Sequence, residues 1–266
     1  MSGGTLSPRP AIKFVEFIGL PGAGKTTIAT HLEKILREHG FRIVSRSVAL
    51  ADRMPFVLRQ FKRSLIVARN LHKCWHLDIL ALRIILASGQ DSLKDLCKVT
   101  WNICSVAAFM ANSRRADIDV AVVDQGLLQA IWSIRLRSSK ALYRELCAQL
   151  LLSAGLRDVL FIFVQSEISV ARNRLSGRTA KETRLQSRPW DDIDGPWEVA
   201  AAEMKSLIEF LGEIASLDNT ENQLVTVNNS FKSPETAAAE IASAFLAQSS
   251  SRKVDHSFAH QLDISL

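Results

Sequence analysis

A glycine-rich segment between an apolar stretch and an amphipathic stretch constrains the fold of this chain most. Residues 19–27 read Gly-Leu-Pro-Gly-Ala-Gly-Lys-Thr-Thr and match the phosphate-loop pattern G-x-x-x-x-G-K-[ST] in full. Residues 12–18 are mostly β-branched and aromatic, which favours a buried strand, and residues 27–37 place apolar side chains on one helical face. A strand, a glycine loop and a helix in this order predict an α/β fold that binds phosphate.

The residue types in this loop have distinct predicted tasks. The three glycines allow backbone angles and close approaches that a Cβ would block, so that N–H groups converge on phosphate oxygens at the positive end of the helix. Lys25 reaches the β- and γ-phosphates, and the Thr26 hydroxyl ligates Mg²⁺. A turn that only connects a strand to a helix would need neither residue. The predicted nucleotide-binding set is Gly19, Leu20, Pro21, Gly22, Ala23, Gly24, Lys25, Thr26 and Thr27, of which Thr27 either contacts the α-phosphate or only begins the helix.

Two further groups of polar residues follow predicted strands. Asp124 ends an apolar run at 117–124, at the carboxyl edge of an open α/β sheet where ligands bind. A carboxylate there can hold Mg²⁺ or position an acceptor, and a surface acid that merely ends a strand is the alternative. Arg174 and Arg178 are four residues apart on a predicted helix face, where guanidinium groups can neutralise a transferred phosphoryl group. The alternative is a basic helix end that complements the helix dipole.

Apolar runs alternate with helical periodicity along the chain and predict one α/β domain over residues 11–247. Strands are predicted at 12–18, 41–48, 117–124, 159–164 and 223–227, and a helical insert at about 55–115 contains helices at 56–70, 71–88 and 92–113. Later helices are predicted at 127–154, 167–175, 196–215 and up to 247. We expect residues 1–10 and 248–266 to be disordered tails. The predicted fold class is a three-layer α/β sandwich, in which helices cover both faces of a five-stranded parallel sheet.

Charge is distributed unevenly along the chain. The formal net charge is +6, and residues 52–115 contain eleven Lys or Arg against four Asp or Glu, which suits an anionic substrate, a nucleic acid or an acidic partner. No run of about 18 apolar residues indicates a membrane span, and the start lacks the apolar segment of a secretory signal, so we expect a cytoplasmic protein. The four cysteines show no C-x-x-C spacing and are expected to be buried, reduced thiols.

The order of these parts resembles the P-loop nucleoside and nucleotide kinases, and most closely the thymidylate kinase-like group, over residues 12–247. The resemblance rests on the phosphate loop, the acid after the third strand with Gln-Ala-Ile-Trp at 129–132 behind it, the Arg-x-x-x-Arg pair, and the final strand with Asn228 and Asn229. It implies a P-loop NTPase fold, ATP and Mg²⁺ as cofactors, and a lid at about 172–195 whose arginines Arg174 and Arg178 clamp ATP. Asp124 would help to bind metal or acceptor.

Two positions depart from the pattern of that group. Asp124 is followed by Gln125, where the group has an arginine that contacts the acceptor phosphate. The place directly before the first loop glycine holds Ile18 rather than Glu, and Glu16 lies two positions earlier. The resemblance therefore supports the predicted fold more strongly than it supports a particular acceptor.

The expected activity is transfer of the γ-phosphoryl group of ATP to a small anionic acceptor. Lys25, Asp124, Arg174 and Arg178 form the predicted catalytic set, and Thr26 and Asp124 the predicted metal ligands. Candidate acceptor-binding arginines at the insert are Arg46, Arg53, Arg59 and Arg63. Two alternatives stay open: an accessory ATPase or switch whose basic helical region binds a partner or nucleic acid, and a kinase of a non-nucleotide metabolite. No nucleic-acid-binding module motif supports the first, and the sequence leaves a homodimer open.

Overall fold

A five-stranded parallel sheet forms the centre of the fold. The computed structural model describes residues 12–49, 56–90, 92–136, 138, 144–177, 195–217 and 224–262 of the 266-residue chain. The strands are β1 (Phe14–Ile18), β2 (Ile43–Ser45), β3 (Val120–Val123), β4 (Val159–Gln165) and β5 (Leu224–Asn228). They pair in the order β2-β3-β1-β4-β5, and every pairing is parallel. The predicted P-loop NTPase α/β fold is confirmed, because β1 is central and leads directly into the glycine loop.

Helices connect the strands and end close to the predicted positions in most cases. Their bounds are α1 (Lys25–Glu38), α2 (Arg46–Ala49), α3 (Phe56–Ser88), α4 (Leu93–Arg115), α5 (Leu127–Arg135), α6 (Arg144–Ser153), α7 (Ile168–Ser176), α8 (Gly195–Leu217) and α9 (Pro234–Leu262). A 3-10 turn at Leu156–Asp158 leads into β4. Strand β2 is shorter than its predicted run, because the chain turns into α2 at Arg46.

Three predicted helices differ from the structure. The helix expected at 127–154 is divided into α5 and α6, because α5 ends at Arg135 and Ser138 forms an isolated antiparallel bridge with Gln90. The helices expected at 56–70 and 71–88 are one continuous helix, since neither Gly nor Pro interrupts residues 56–88. The tail expected from residue 248 is helical up to Leu262 in α9. No Gly or Pro occurs after Pro234, and Val254, Phe258 and Leu262 recur at the four-residue spacing of a helix, a signal that the prediction of a disordered tail overlooked. Residues 1–10 lie outside the described residues.

Alternating strand residues build a separate apolar layer on each face of the sheet. Phe14 and Ile18 point to one side, where they pack with residues of α3, α4, α5, α6 and α8. Val15 and Phe17 point to the other side, where they pack with α1 and α9. Because both faces are covered, the strands read as nearly continuous apolar runs. Glu16, between them, shares the face of Phe14 and Ile18 and lies under α5.

The helical insert contains α3 and α4, which pack against each other beside the sheet. None of the described helices is long and apolar enough to cross a membrane. All four cysteines are free, but only Cys74 and Cys147 are buried. Cys97 is exposed on α4, so the prediction of buried thiols is wrong for it, because its position lies outside the face that packs on the core.

Candidate functional site

The loop after β1 folds tightly against two other parts of the sheet edge. Gly19, Gly22 and Gly24 all have positive φ angles, at 156°, 85° and 93°. A Cβ on Gly19 would lie 2.5 Å from the carbonyl oxygen of Val164, and one on Gly22 would overlap the carbonyl oxygen of Ala171. The glycines are therefore needed for backbone angle and for space, as the sequence predicts.

The helix after the loop presents its amino terminus to the same edge. Gly24 caps α1 in the left-handed conformation with no side-chain cap, so the first N–H groups of the helix are left for a ligand. Lys25 begins α1 and is 9% exposed, and its Nζ donates to the carbonyl oxygens of Gly19 and Leu20 at 2.7 and 2.9 Å. Its ammonium group is thus held directly at the loop. Thr26 and Thr27 are exposed in the first turn.

Two predicted metal ligands from distant parts of the chain meet beside the loop. The Thr26 hydroxyl donates to Asp124 Oδ2 at 3.2 Å. Asp124 Oδ1 is buried, lies 3.7 Å from Arg46 Nη1, and accepts no hydrogen bond from any residue that the structure describes. A hydroxyl beside a carboxylate with unused acceptor capacity fits Mg²⁺, which prefers oxygen ligands and retains several waters or phosphate oxygens. The described residues contain no cluster of three or more His, Cys, Asp and Glu, so a site here would depend on nucleotide oxygens as well.

Arg46 brings positive charge close to the Asp124 carboxylate. It is only 4% exposed, and its Nη2 donates to Asn102 Oδ1 on α4 at 3.3 Å. Of the candidate acceptor-binding arginines, it is the one that the structure places next to Asp124. Arg53 lies outside the described residues, and so do the side chains of Arg59 and Arg63.

One of the two predicted lid arginines reaches the loop. Arg174 on α7 donates from Nη2 to the carbonyl oxygen of Asn229 at 3.0 Å, and its Nη1 lies 3.9 Å from the point that a Cβ on Gly24 would occupy. Asn229 is buried after β5, and its Nδ2 donates to the carbonyl oxygen of Ala23 at 2.7 Å. Arg178, with most of the predicted lid, lies outside the described residues.

A second set of buried polar residues supports the loop from the side of α5, and the predicted site set does not contain it. The Gly19 N–H donates to Gln129 Oε1 at 3.2 Å. Glu16 Oε1 accepts hydrogen bonds from Leu128 N at 2.7 Å and Gln129 N at 3.4 Å, at the amino terminus of α5. Burial raises the pKa of Glu16 to about 7, while these backbone hydrogen bonds and the charge of Arg46 lower it. The sequence signal that could have identified Glu16 as a site residue is a single acid inside the apolar run Phe-Val-Glu-Phe-Ile.

Comparisons with known proteins concern the fold. No protein-family model matches the chain, and no curated protein matches it in sequence. It is similar to the solved structure of shikimate kinase from Acinetobacter baumannii in complex with shikimate, at 12% identity and a TM-score of 0.45, over 90% of this chain and 95% of that one. It is also similar to deoxyadenosine kinase from M. mycoides, at 12% identity and a TM-score of 0.42 over 88% and 99% of the two chains. It is similar as well to a gluconokinase from Sinorhizobium meliloti 1021, at 15% identity and a TM-score of 0.39, over 94% of this chain and 99% of that one.

Proposed function

We propose that this chain is a magnesium-dependent P-loop kinase that transfers the γ-phosphoryl group of ATP to a small anionic acceptor, in the manner of nucleoside and nucleotide kinases of the thymidylate kinase-like type. The observation that carries the proposal is the contact between Thr26 and Asp124 at the end of the loop whose carbonyl oxygens hold the Lys25 ammonium group. Residues 98 positions apart in sequence meet there, and each has the chemistry that phosphoryl transfer requires.

The loop residues would bind and orient the donor. Backbone N–H groups at the start of α1 would surround the β-phosphate, and Lys25 would leave the carbonyls of Gly19 and Leu20 to contact the β- and γ-phosphates. The Lys25 ammonium group would exchange two neutral carbonyl oxygens for anionic phosphate oxygens, and the stronger hydrogen bonds to the anion favour this movement. Thr26 and Asp124 would hold Mg²⁺, which when bound neutralises charge between the β- and γ-phosphates. Arg174 would add a guanidinium group on the opposite side of the loop.

An anionic acceptor is favoured by the position of Arg46. This guanidinium group is nearly buried and lies within 3.7 Å of Asp124, so it can bind an acidic group on an acceptor whose hydroxyl or phosphate faces the γ-phosphate. Asp124 would then position the acceptor as well as the metal. The position of Arg46 after β2 replaces, on this side of the site, the arginine that the chain lacks at Gln125.

Labelled ATP tests the proposal directly. Purified protein is incubated with γ-labelled ATP, Mg²⁺ and pools of nucleosides, nucleoside monophosphates, sugars and aminoglycosides, and labelled products are separated. We expect label to appear in the products of the nucleoside monophosphate pool, whose members are anionic before transfer, and Lys25→Ala should reduce product formation by roughly 10²- to 10³-fold. Lys34→Ala, on an exposed position of the same helix, is the matched control and should retain full activity. Turnover of Lys25→Ala at the rate of Lys34→Ala would refute the assignment.

The same experiment separates the two alternatives. ATP hydrolysis without a labelled acceptor, together with salt-sensitive binding of single- or double-stranded nucleic acid, would favour an accessory ATPase or switch. A labelled sugar or aminoglycoside would favour a kinase of a non-nucleotide metabolite.

A further inference from the structure

The first turn of α5, which follows closely after Asp124, is held by a side chain from another strand. Gly126 precedes the helix and provides no side-chain cap for its first N–H groups. Glu16 on β1 provides one instead, because its Oε1 accepts from Leu128 N at 2.7 Å and from Gln129 N at 3.4 Å. The cap of α5 thus comes from a residue 112 positions away in sequence.

The segment between β3 and α5 is short and packs tightly against Glu16. It consists of Asp124, Gln125 and Gly126 only. Val123, the last residue of β3, is paired in register with Glu16 in the parallel sheet. A Cβ on Gly126 would overlap the carboxyl group of Glu16. Both ends of the segment are therefore fixed against β1, one by strand pairing and the other by the Glu16 side chain.

Two further hydrogen bonds join the same part of the chain to the phosphate loop. The Gly19 N–H donates to Gln129 Oε1, and the Thr26 hydroxyl donates to Asp124 Oδ2, both at 3.2 Å. Since β1 leads directly into the loop, Glu16 and the loop belong to one continuous stretch of chain. The hydrogen bonds of Glu16 therefore help to fix the distance between the two predicted metal ligands.

We propose that Glu16 is a positioning residue, which keeps Asp124 in place to bind Mg²⁺ by holding the first turn of α5. This inference rests on the proposed function, which identifies the site as a magnesium site. Glu16 is 2% exposed, so it would act through α5 rather than by contact with metal or nucleotide. Mg²⁺ requires near-ideal octahedral geometry, and residues that orient its ligands typically contribute about 10- to 100-fold to metal affinity.

The phosphate loop depends less on Glu16 than Asp124 does. The Ala171 carbonyl on α7 packs against the loop, and Asn229 after β5 donates from Nδ2 to the carbonyl oxygen of Ala23 at 2.7 Å. These contacts hold the loop from the side away from α5. Loss of the Glu16 hydrogen bonds should therefore weaken the binding of Mg²⁺ more than the binding of nucleotide without metal.

Nucleotide binding with and without metal tests this role. Dissociation constants of the full-length chain for adenylyl imidodiphosphate, a non-hydrolysable ATP analogue, are measured by calorimetry in saturating Mg²⁺ and in EDTA. Their ratio gives the affinity that the metal adds. Glu16→Met removes the acceptor at similar volume and should reduce this gain about 10-fold, while the affinity in EDTA changes less than about threefold.

Two matched variants separate the hydrogen bond from the substitution itself. Glu16→Gln retains an oxygen that can accept from Leu128 N, so it should keep most of the gain from Mg²⁺. Glu38→Met is the same change as Glu16→Met at an exposed position of α1, and it should keep the whole gain. Circular dichroism confirms folding, and Glu16→Leu repeats the test if Glu16→Met fails to fold.

A double variant shows whether Glu16 acts through Asp124. Asp124→Asn alone should reduce the gain from Mg²⁺, and addition of Glu16→Met should reduce it no further, because the two residues act on the same ligand. Reductions that multiply in the double variant would overturn the proposal. It would also be overturned by equal losses in Mg²⁺ and in EDTA, by a full gain in Glu16→Met, or by a wild type that gains no affinity from Mg²⁺.

Failure of the proposed function is a separate result. A protein that gains nucleotide affinity from Mg²⁺ through Glu16 and Asp124, but labels no acceptor, would retain this role for Glu16 and lose the assignment as a kinase.

Discussion

Replacement of Glu16 by glutamine should change how the stability of this fold depends on pH. Glu16 is 2% exposed on β1, and burial raises its pKa from 4.5 to about 7. Because the folded state favours the neutral acid, it retains a proton that the unfolded state loses between these values. The stabilising contribution is complete below pH 4.5 and is lost as the pH rises through 7. At 1.36 kcal/mol per pKa unit, it amounts to about 3 kcal/mol.

The glutamine variant isolates this effect because its amide oxygen can still accept the hydrogen bond from Leu128 N. Free energies of unfolding are measured in urea at pH 5, 6, 7 and 8 for the wild type and for Glu16→Gln. The free energy of unfolding of the wild type minus that of Glu16→Gln should fall by about 2 to 3 kcal/mol from pH 5 to pH 8. Glu38→Gln makes the same change at an exposed position of α1 and should change the free energy of unfolding by less than about 0.5 kcal/mol. A pH-independent difference for Glu16→Gln would show that this carboxyl group titrates normally, and would refute the reasoning.

Three further substitutions test the site and the core. Asp124→Asn keeps the shape of the side chain but removes its charge, so the Mg²⁺ concentration for half-maximal turnover should rise about 10- to 100-fold in a metal titration. Gly22→Ala should destabilise the fold by about 2 to 4 kcal/mol in urea, because its φ is 85° and the new Cβ would overlap a carbonyl oxygen. Gly177→Ala is the control, because a Cβ there would meet no atom of the described residues within 4 Å, and it should change stability by less than about 0.5 kcal/mol. Leu160→Ala, at a fully buried position of β4, should cost about 2 to 5 kcal/mol in the same assay.

The sequence predicts the sheet well because its signals are local. Each central strand is a short apolar run, and the phosphate-loop pattern determines which strand precedes the first helix. The position of Asp124 at a strand end was sufficient to predict that it lies near the loop, and the contact with Thr26 agrees with that prediction.

Features that depend on packing between distant helices were harder to predict. Arg46 was one of four candidate arginines, and nothing in its neighbours indicates that α4 would supply Asn102 as its partner. Glu16 could be recognised as unusual in a strand, but its burial depends on the close approach of Gly126 at the start of α5, where a Cβ would overlap the carboxylate. The roles of Arg178 and of the lid stay predictions.

Contacts from three directions determine the shape of the phosphate loop. Gln129 on α5 accepts from the N–H of Gly19, the Ala171 carbonyl on α7 packs on Gly22, and Asn229 after β5 donates to the Ala23 carbonyl. These partners lie more than 100 residues from the loop in sequence, so the loop acquires its shape only when the sheet and its connecting helices are assembled. Nucleotide affinity should therefore be lost in the same unfolding transition as the sheet. A local opening that preceded it would have to break contacts with α5, α7 and β5 together.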